Sequence, residues 1–312
     1  MYRIALGGNS FNLHELDIHD CKSVVAIGNF DGVHLGHQQL LAMLDDVAVQ
    51  NSYKRVAIIF EPLPLEYFLD QKNQHRIPRL SLLRDKFYYL QSLVDELVVI
   101  HFNAAIADLT PQQFIQHILK QKLNAAHVVI GHDFRFGRGR SGSVEDFIKH
   151  DIECTVVEPV ILDQVRVSSS IIREFANNND LLNVTRYLGH NLHYTARIVH
   201  GKKMGRKFGV PTINLTLGKY RLALWGVYVA KVYIDHCTYN AVVSIGKNPT
   251  TNNLGVYNLE AHLLDVDLDL YGKIATIEIL QFIRQECKFN DLDSLFDQIH
   301  SDIACARNYF TN

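Results

Sequence analysis

The densest chemistry in the sequence is GNFDGVHLGH, Gly28 to His37, which follows the apolar run SVVAI and precedes a helical pattern. His34 and His37 stand three apart, so at a helix N-terminus both imidazoles share one face. Unpaired amides and the helix dipole already favour an anion there, and Gly36 between the rings keeps the approach open. A chain with 16 His and 18 Gly is expected to hold only roughly 0.05 HxGH matches by chance. A second cluster, RVSSSIIRE, sets Ser168, Ser169 and Ser170 between Arg166 and Arg173. Serines alone would read as a helix cap, but hydroxyls between two guanidinium groups make a second anion clamp, expected to face the first at the carboxyl edge of a sheet.

Two further clusters lie in the second half. GKKMGRKFGVPTINL carries Gly201, Gly205 and Gly209, the cations Lys202, Lys203, Arg206 and Lys207, and then Thr212 and Asn214. Such a loop can expose amides to phosphates, and neutral oxygens suit magnesium carried by a nucleotide. In VYNLEAHLL, alternation places Glu260 on the opposite face from Leu259, Ala261 and Leu263. It is either a solvated strand carboxylate or a base pointing into a site. Gly137, Gly139 and Gly142 satisfy a GxGxxG spacing, but they follow the fourth apolar run and lack the tight strand-to-helix turn of a dinucleotide fold. Each GK pair is followed by the wrong residue for a P-loop.

Positioning these groups requires a sheet and a barrel. SVVAI, RVAIIF, ELVVIHF, HVVIG and CTVVEPVI read as strands alternating with amphipathic helices, the pattern of a parallel α/β sheet. Thr110, Pro111 and Gln113 predict a capping box at the start of the third helix. Beyond the polar NNND tract, HYTARIVH, GVYVAKVYI, YNAVVSIG, VYNLEAHLL and IATIEILQFI predict a small antiparallel barrel. A last helix then presents Leu292, Leu295, Phe296, Ile299 and Ile303 on one face, capped by Asn290 or Asp291. The expected domains are 1–184 and 185–312.

Composition sets the outer limits. The 312 residues are 47% hydrophobic and 21% charged, which excludes disordered and fibrous classes. A net charge of -2 gives no global positive field for nucleic acid, and no apolar run suits a membrane helix. Five scattered cysteines without a CxxC pair, and no secretory h-region, predict a cytoplasmic protein with free thiols.

Taken in order, GNFDGVHLGHQQLL, FEPLP, GHDFRFGRGRSG, RVSSSIIRE, YLG, GKKMGRKFGVPTINL, the Glu260 strand, DLYGK and FIRQECKF resemble the bifunctional bacterial riboflavin kinases and FAD synthetases. The resemblance implies a Rossmann-like nucleotidyltransferase domain followed by a riboflavin kinase barrel. It implies phosphorylation of riboflavin to FMN, then adenylylation of FMN to FAD, with ATP and magnesium and with neither nucleic acid nor membrane as partner. By this similarity Asn29, Asp31, His34, His37, Arg166, Ser169, Ser170 and Arg173 bind ATP in the first domain, and Asp133 and Phe134 line the flavin and nucleotide pocket. In the second, Gly201, Gly205, Arg206, Gly209, Thr212 and Asn214 bind ATP, Thr212 and Asn214 hold the metal, and Glu260 is the base. Leu63 in FEPLP stands where the family usually has His, Val210 where it has Phe, Ala196 where Gly is common, and SIGKNPT where NIGxRPT is typical. The alternative these departures leave is a flavin-binding protein, or a riboflavin kinase with a weakened adenylyltransferase site.

Overall fold

The structure is a computed structural model describing residues 2–5, 21–201, 210–247, 257–266, 268–289 and 291–311. It forms two compact units, Met1–Ile77 with Lys86–Ser168, and Pro78–Asp85 with Ser169–Asn312.

The first unit is an α/β fold, as the alternation predicts. In chain order its elements are β1 (Tyr2–Ala5), β2 (Ser23–Ile27), α1 (Leu35–Asn51), β3 (Lys54–Glu61), α2 (Pro64–Gln71), α3 (Leu83–Leu90), β4 (Glu96–His101), α4 (Ala104–Ala107), α5 (Pro111–Gln113), β5 (Ala125–Gly131), α6 (Val144–Ile148) and β6 (Glu153–Val157). The first three residues of α3 pack with the second unit. Six strands pair in parallel in the order β1-β4-β3-β2-β5-β6. SVVAI is buried at all five positions, as a central strand covered on both faces must be. Strand order reverses between β2 and β5, and the carboxyl ends of such a pair open a crevice.

Three elements differ in detail from the expected pattern. The capping box of α5 is present, Gln113 N donating to Thr110 Oγ1 at 3.2 Å and Thr110 N to Gln113 Oε1 at 2.9 Å, but the chain continues as a π-wound stretch, Phe114–Lys120. CTVVEPVI does not run through as one strand, because pairing stops at Val157 before Pro159. A short hairpin follows, β7 (Ile161–Leu162) and β8 (Val165–Arg166), whose two turn residues Asp163 and Gln164 both have positive φ, 50° and 64°.

The second unit is a closed antiparallel barrel of six strands. Helices α7 (Ser169–Asn177) and α8 (Leu181–Leu188) precede β9 (His193–Val199), β10 (Ile213–Leu215), β11 (Gly226–Ile234), β12 (Cys237–Lys247), β13 (Tyr257–Leu263) and β14 (Ile274–Arg284), and α9 (Leu292–Thr311) ends the chain. The order around the barrel is β10-β13-β12-β11-β14-β9, closed by pairing of β9 with β10. The short β10 is the strand that periodicity does not reveal. Helices α7 and α8 pack on each other, and α8 packs on β14. Both helices therefore pack with the barrel unit. Asp291 caps α9 by accepting from Ser294 N at 2.7 Å, and the helix lays Ile303, Ala306 and Phe310 against Val229, Val242 and Leu264.

Candidate active sites

The first site grows from the β2–α1 turn. His34 is the N-cap of α1; its Nδ1 accepts from His37 N at 3.4 Å, and its carbonyl accepts from His37 N and Gln38 N at 2.7 and 3.0 Å. The two imidazoles stack, with centroids 3.7 Å apart and planes 20° from parallel, and Phe30 backs His37 at 5.0 Å. Gly36 serves this stack directly, since a Cβ there would stand 3.2 Å from His34 Cε1 and 3.3 Å from Nδ1. Burial, then His34, then Lys86 push the His37 imidazole well below its usual range. Its Nδ1 is buried with no hydrogen-bond partner among the described residues.

A cavity of about 210 Å³ opens at this turn, against the carboxyl ends of β2, β5 and β6. It brings together His34, His37, Asp133, Phe134 and Arg166, with Ser168 beside them. Arg166 Nη2 pairs with Asp133 Oδ1 at 2.9 Å, and that guanidinium holds the Asp133 carboxyl below the ordinary carboxylate range. His132, Glu158, Pro159 and Val160 also line the cavity. Sequence reasoning passed over them, although Pro159 interrupting the apolar run was a signal of a loop there.

The remaining predicted residues fall outside this cavity wall. Asn29 is exposed and Asp31 is buried in the turn. Ser169, Ser170 and Arg173 open α7 and pack with the second unit, where Arg173 Nε donates to the Pro78 carbonyl at 2.7 Å. Leu63 is buried as the N-cap of α2, its N–H donating to the buried Glu66 carboxylate at 3.1 Å. The GxGxxG match is a loop: Gly137 has φ +70°, and a Cβ there would meet Pro111 N at 2.8 Å. It is no dinucleotide turn.

The second site lies on the barrel wall. The register sets Asn214 of β10 opposite Glu260 of β13, and Ser244 of β12 opposite the same Glu260. Alternation on β13 holds as expected, with Leu259, Ala261 and Leu263 buried and Glu260 and His262 half-buried on the other face. Glu260 and His262 line a cavity of about 330 Å³ with Thr212, Ser244, Arg284 and Glu286, closed on one side by Leu295, Ile299 and Ile303 of α9. Thr212 also lines a second, narrower cavity of about 30 Å³ with Gly201, Asn214 and Tyr271. The Asn214 amide occupies the space that a Cβ on Gly201 would fill, so the loop backbone approaches it closely. His262 Nδ1 lies 2.8 Å from the Pro211 carbonyl and fixes the chain entering Thr212.

Gly205, Arg206 and Gly209, together with Lys202, Lys203 and Lys207, lie outside the described residues, as do Asn248 and Asn290. Arg284, to which no role was assigned from sequence, is gripped by Asp302 of α9 through Nε at 2.9 Å and Nη2 at 2.8 Å. FIRQECKF was the available signal. Among the described residues no group of three His, Cys, Asp or Glu side chains is arranged to hold a metal.

Comparison with known proteins bears on both sites. A family model described as FAD synthetase matches residues 17–171, and one described as riboflavin kinase matches residues 188–310. Proteins named bifunctional riboflavin kinase/FMN adenylyltransferase from Buchnera aphidicola of Schizaphis graminum, Pseudomonas fluorescens and Escherichia coli K12 are each 36% identical to this chain. The alignments cover 96%, 95% and 92% of this chain and 97%, 95% and 92% of those proteins. A solved structure from Streptococcus pneumoniae, described as a macrolide-efflux protein, is similar at 30% identity and a TM-score of 0.75, covering 93% of this chain and 95% of that one. No helix among the described residues is long and apolar enough to cross a membrane.

Proposed function

Because the chain belongs to the bifunctional riboflavin kinase/FMN adenylyltransferase family, we propose that the paired-imidazole cavity adenylylates FMN and that the barrel cavity around Glu260 phosphorylates riboflavin. The chain is an enzyme with both activities, and the two family models match it one after the other, so the flavin-binding and kinase-only alternatives are not favoured. The observation that carries the assignment is the pair of separate cavities, one within each unit, the first lined by the paired imidazoles and Arg166 and the second by Glu260 and Thr212.

In the first cavity His34, His37 and Arg166 surround the space for the ATP polyphosphate. The attacking group is the phosphate of FMN and the leaving group is pyrophosphate, so no covalent enzyme intermediate is needed. Catalysis there is orientation plus stabilisation of charge on the transferring phosphoryl and its leaving oxygens. Asp133 orients Arg166 toward that charge. Asp133 and Phe134 supply a wall for the flavin or nucleotide, and Asn29 and Asp31 of the β2–α1 turn complete nucleotide binding.

In the barrel Glu260 takes the proton of the ribityl hydroxyl as it attacks the γ-phosphorus of ATP, and ADP leaves. Phosphate binding in this reading falls to Gly201, Gly205, Arg206 and Gly209. Thr212 and Asn214 would hold magnesium carried by ATP, and their neutral oxygens and the close backbone of Gly201 fit that role. When bound, the ion neutralises phosphate charge. Substrates are thus riboflavin, FMN and ATP, the final product is FAD, and the site of action is the cytoplasm.

The test uses the full chain with riboflavin, ATP and magnesium, and separates the flavins over time. FMN should appear first and FAD after it. His37→Ala should lower FAD formation by roughly 10²-fold or more while FMN still accumulates. Glu260→Gln should lower FMN formation by about 10²-fold or more and leave adenylylation of supplied FMN intact. An undiminished kinase rate in Glu260→Gln removes the base assignment; loss of both steps in folded His37→Ala contradicts separate sites.

A further inference from the structure

Residues Pro78–Asp85 lie inside the region that matches the FAD synthetase model, yet they pack as part of the barrel unit. Their backbone is joined to the segment ahead of β11: Arg79 N donates to the Arg221 carbonyl at 2.8 Å, and Ala223 N donates to the Arg79 carbonyl at 2.9 Å, a parallel bridge opposite Leu222. The Arg79 side chain is wholly buried, with its guanidinium carbon 4.0 Å from the centroid of the Tyr220 ring. Leu80, Ser81 and Leu82 are buried as well. At the far end the buried Asp85 carboxylate accepts from Thr195 N of β9 through Oδ1 and from Leu82 N through Oδ2, both at 2.7 Å. Arg173 Nε, on α7, holds the Pro78 carbonyl.

Burying a guanidinium and a carboxylate without fixed partners costs several kcal/mol each, so an exposed loop has no reason to carry Arg79 and Asp85 inward. Among their partners here, the guanidinium lies over the Tyr220 ring and the carboxylate takes the Thr195 amide, both of the barrel unit. The two stretches so anchored, β9 and the segment ahead of β11, lead into the kinase cavities. β9 ends at Val199, two residues before Gly201 in the narrow cavity, and the bridged segment leads into β11, whose Val227 lines the cavity of Glu260. Resting on the assignment of riboflavin phosphorylation to the barrel, we infer that Pro78–Asp85 is a positioning strap of the riboflavin kinase, anchored by Arg79 on Tyr220 and by Asp85 on the Thr195 amide. The kinase is in this sense a discontinuous domain, and part of it is written inside the sequence of the other enzyme.

The experiment keeps the full chain and measures three things: kcat and KM for riboflavin phosphorylation, the rate of adenylylation of supplied FMN, and hydrogen exchange at the Thr195 and Ala223 amides. Arg79→Met should raise KM for ATP by about tenfold with a smaller change in kcat, leave FMN adenylylation within about twofold, and speed exchange at both amides. Tyr220→Ala should reproduce this, and the double variant should be no worse than either single one, because both remove the same contact. Arg79→Lys, which keeps a cation over the ring, should recover part of the loss. Asp85→Asn leaves only one acceptor oxygen for two amides and decides the matter if Arg79→Met does not fold. Unchanged kinase parameters with both amides still protected overturn the strap, and so does a parallel fall of both activities in Arg79→Lys and Asp85→Asn. If Glu260→Gln keeps its kinase activity, the barrel assignment fails instead, a result separate from either of these.

Discussion

His37 sits where burial, a stacked imidazole and the buried Lys86 all disfavour its protonated form. At neutral pH the folded chain therefore presents it uncharged. A polyphosphate entering the cavity reverses the balance, because negative charge beside the ring favours the imidazolium. Binding ATP at this site should then take up protons from solution near pH 7. The uptake appears as a difference in binding enthalpy between two buffers of unlike ionisation enthalpy, measured on Glu260→Gln with the kinase step silent, and it should vanish in His37→Gln. No uptake in either protein would mean that His37 does not face the phosphates. The same depressed pKa has a consequence for folding: below about pH 6.5 the unfolded chain binds a proton that folded His37 refuses, so the first unit loses stability as the pH falls through that value.

Elements explain which parts of this chemistry were legible in advance. SVVAI is apolar from Val24 onward and runs into a helical pattern, so His34 and His37 could be placed on a helix start before any coordinates, and the structure buries that strand at all five positions. Glu260 was placed on its face by strict alternation along β13, but what that face meets, Asn214 across the register and a cavity beside it, comes only from partners remote in sequence. Arg166 was recognised by type while the element that holds it was not, because the β7–β8 turn uses Asp163 and Gln164 where a two-residue hairpin ordinarily signals itself with Asn-Gly. The strap at Arg79 gave no local signal at all, since its partners Arg221, Tyr220 and Thr195 are remote in sequence. The turn invites a test. Two L-residues in left-handed backbone cost about 1–2 kcal/mol each, so Asp163→Asn with Gln164→Gly should stabilise the first unit by about 1 kcal/mol. Urea unfolding should show a higher midpoint at unchanged slope, with FAD synthesis retained because Arg166 keeps its place; a lower midpoint would mean the turn side chains hold the hairpin by contacts of their own.

For the whole molecule, the two cavities are walled by different residues of different units, with none in common. Each step can then be removed without the other, and the product of the kinase is the acceptor of the adenylyltransferase. It follows that two incomplete enzymes should make one complete pathway. His37→Ala supplies FMN and Glu260→Gln consumes it, so an equimolar mixture with riboflavin, ATP and magnesium should form FAD although neither variant does so alone. FMN released into solution must reach the second protein by diffusion, so FAD should rise after a lag that shortens as both proteins are concentrated. Adding excess unlabelled FMN to a reaction begun with labelled riboflavin should dilute the label in FAD for the mixture. A wild-type chain that dilutes its label to the same extent releases FMN between steps; one that resists dilution passes it within the chain. A mixture that accumulates FMN and never makes FAD would show instead that one of the two substitutions disables both cavities, against the independence that their separate walls require.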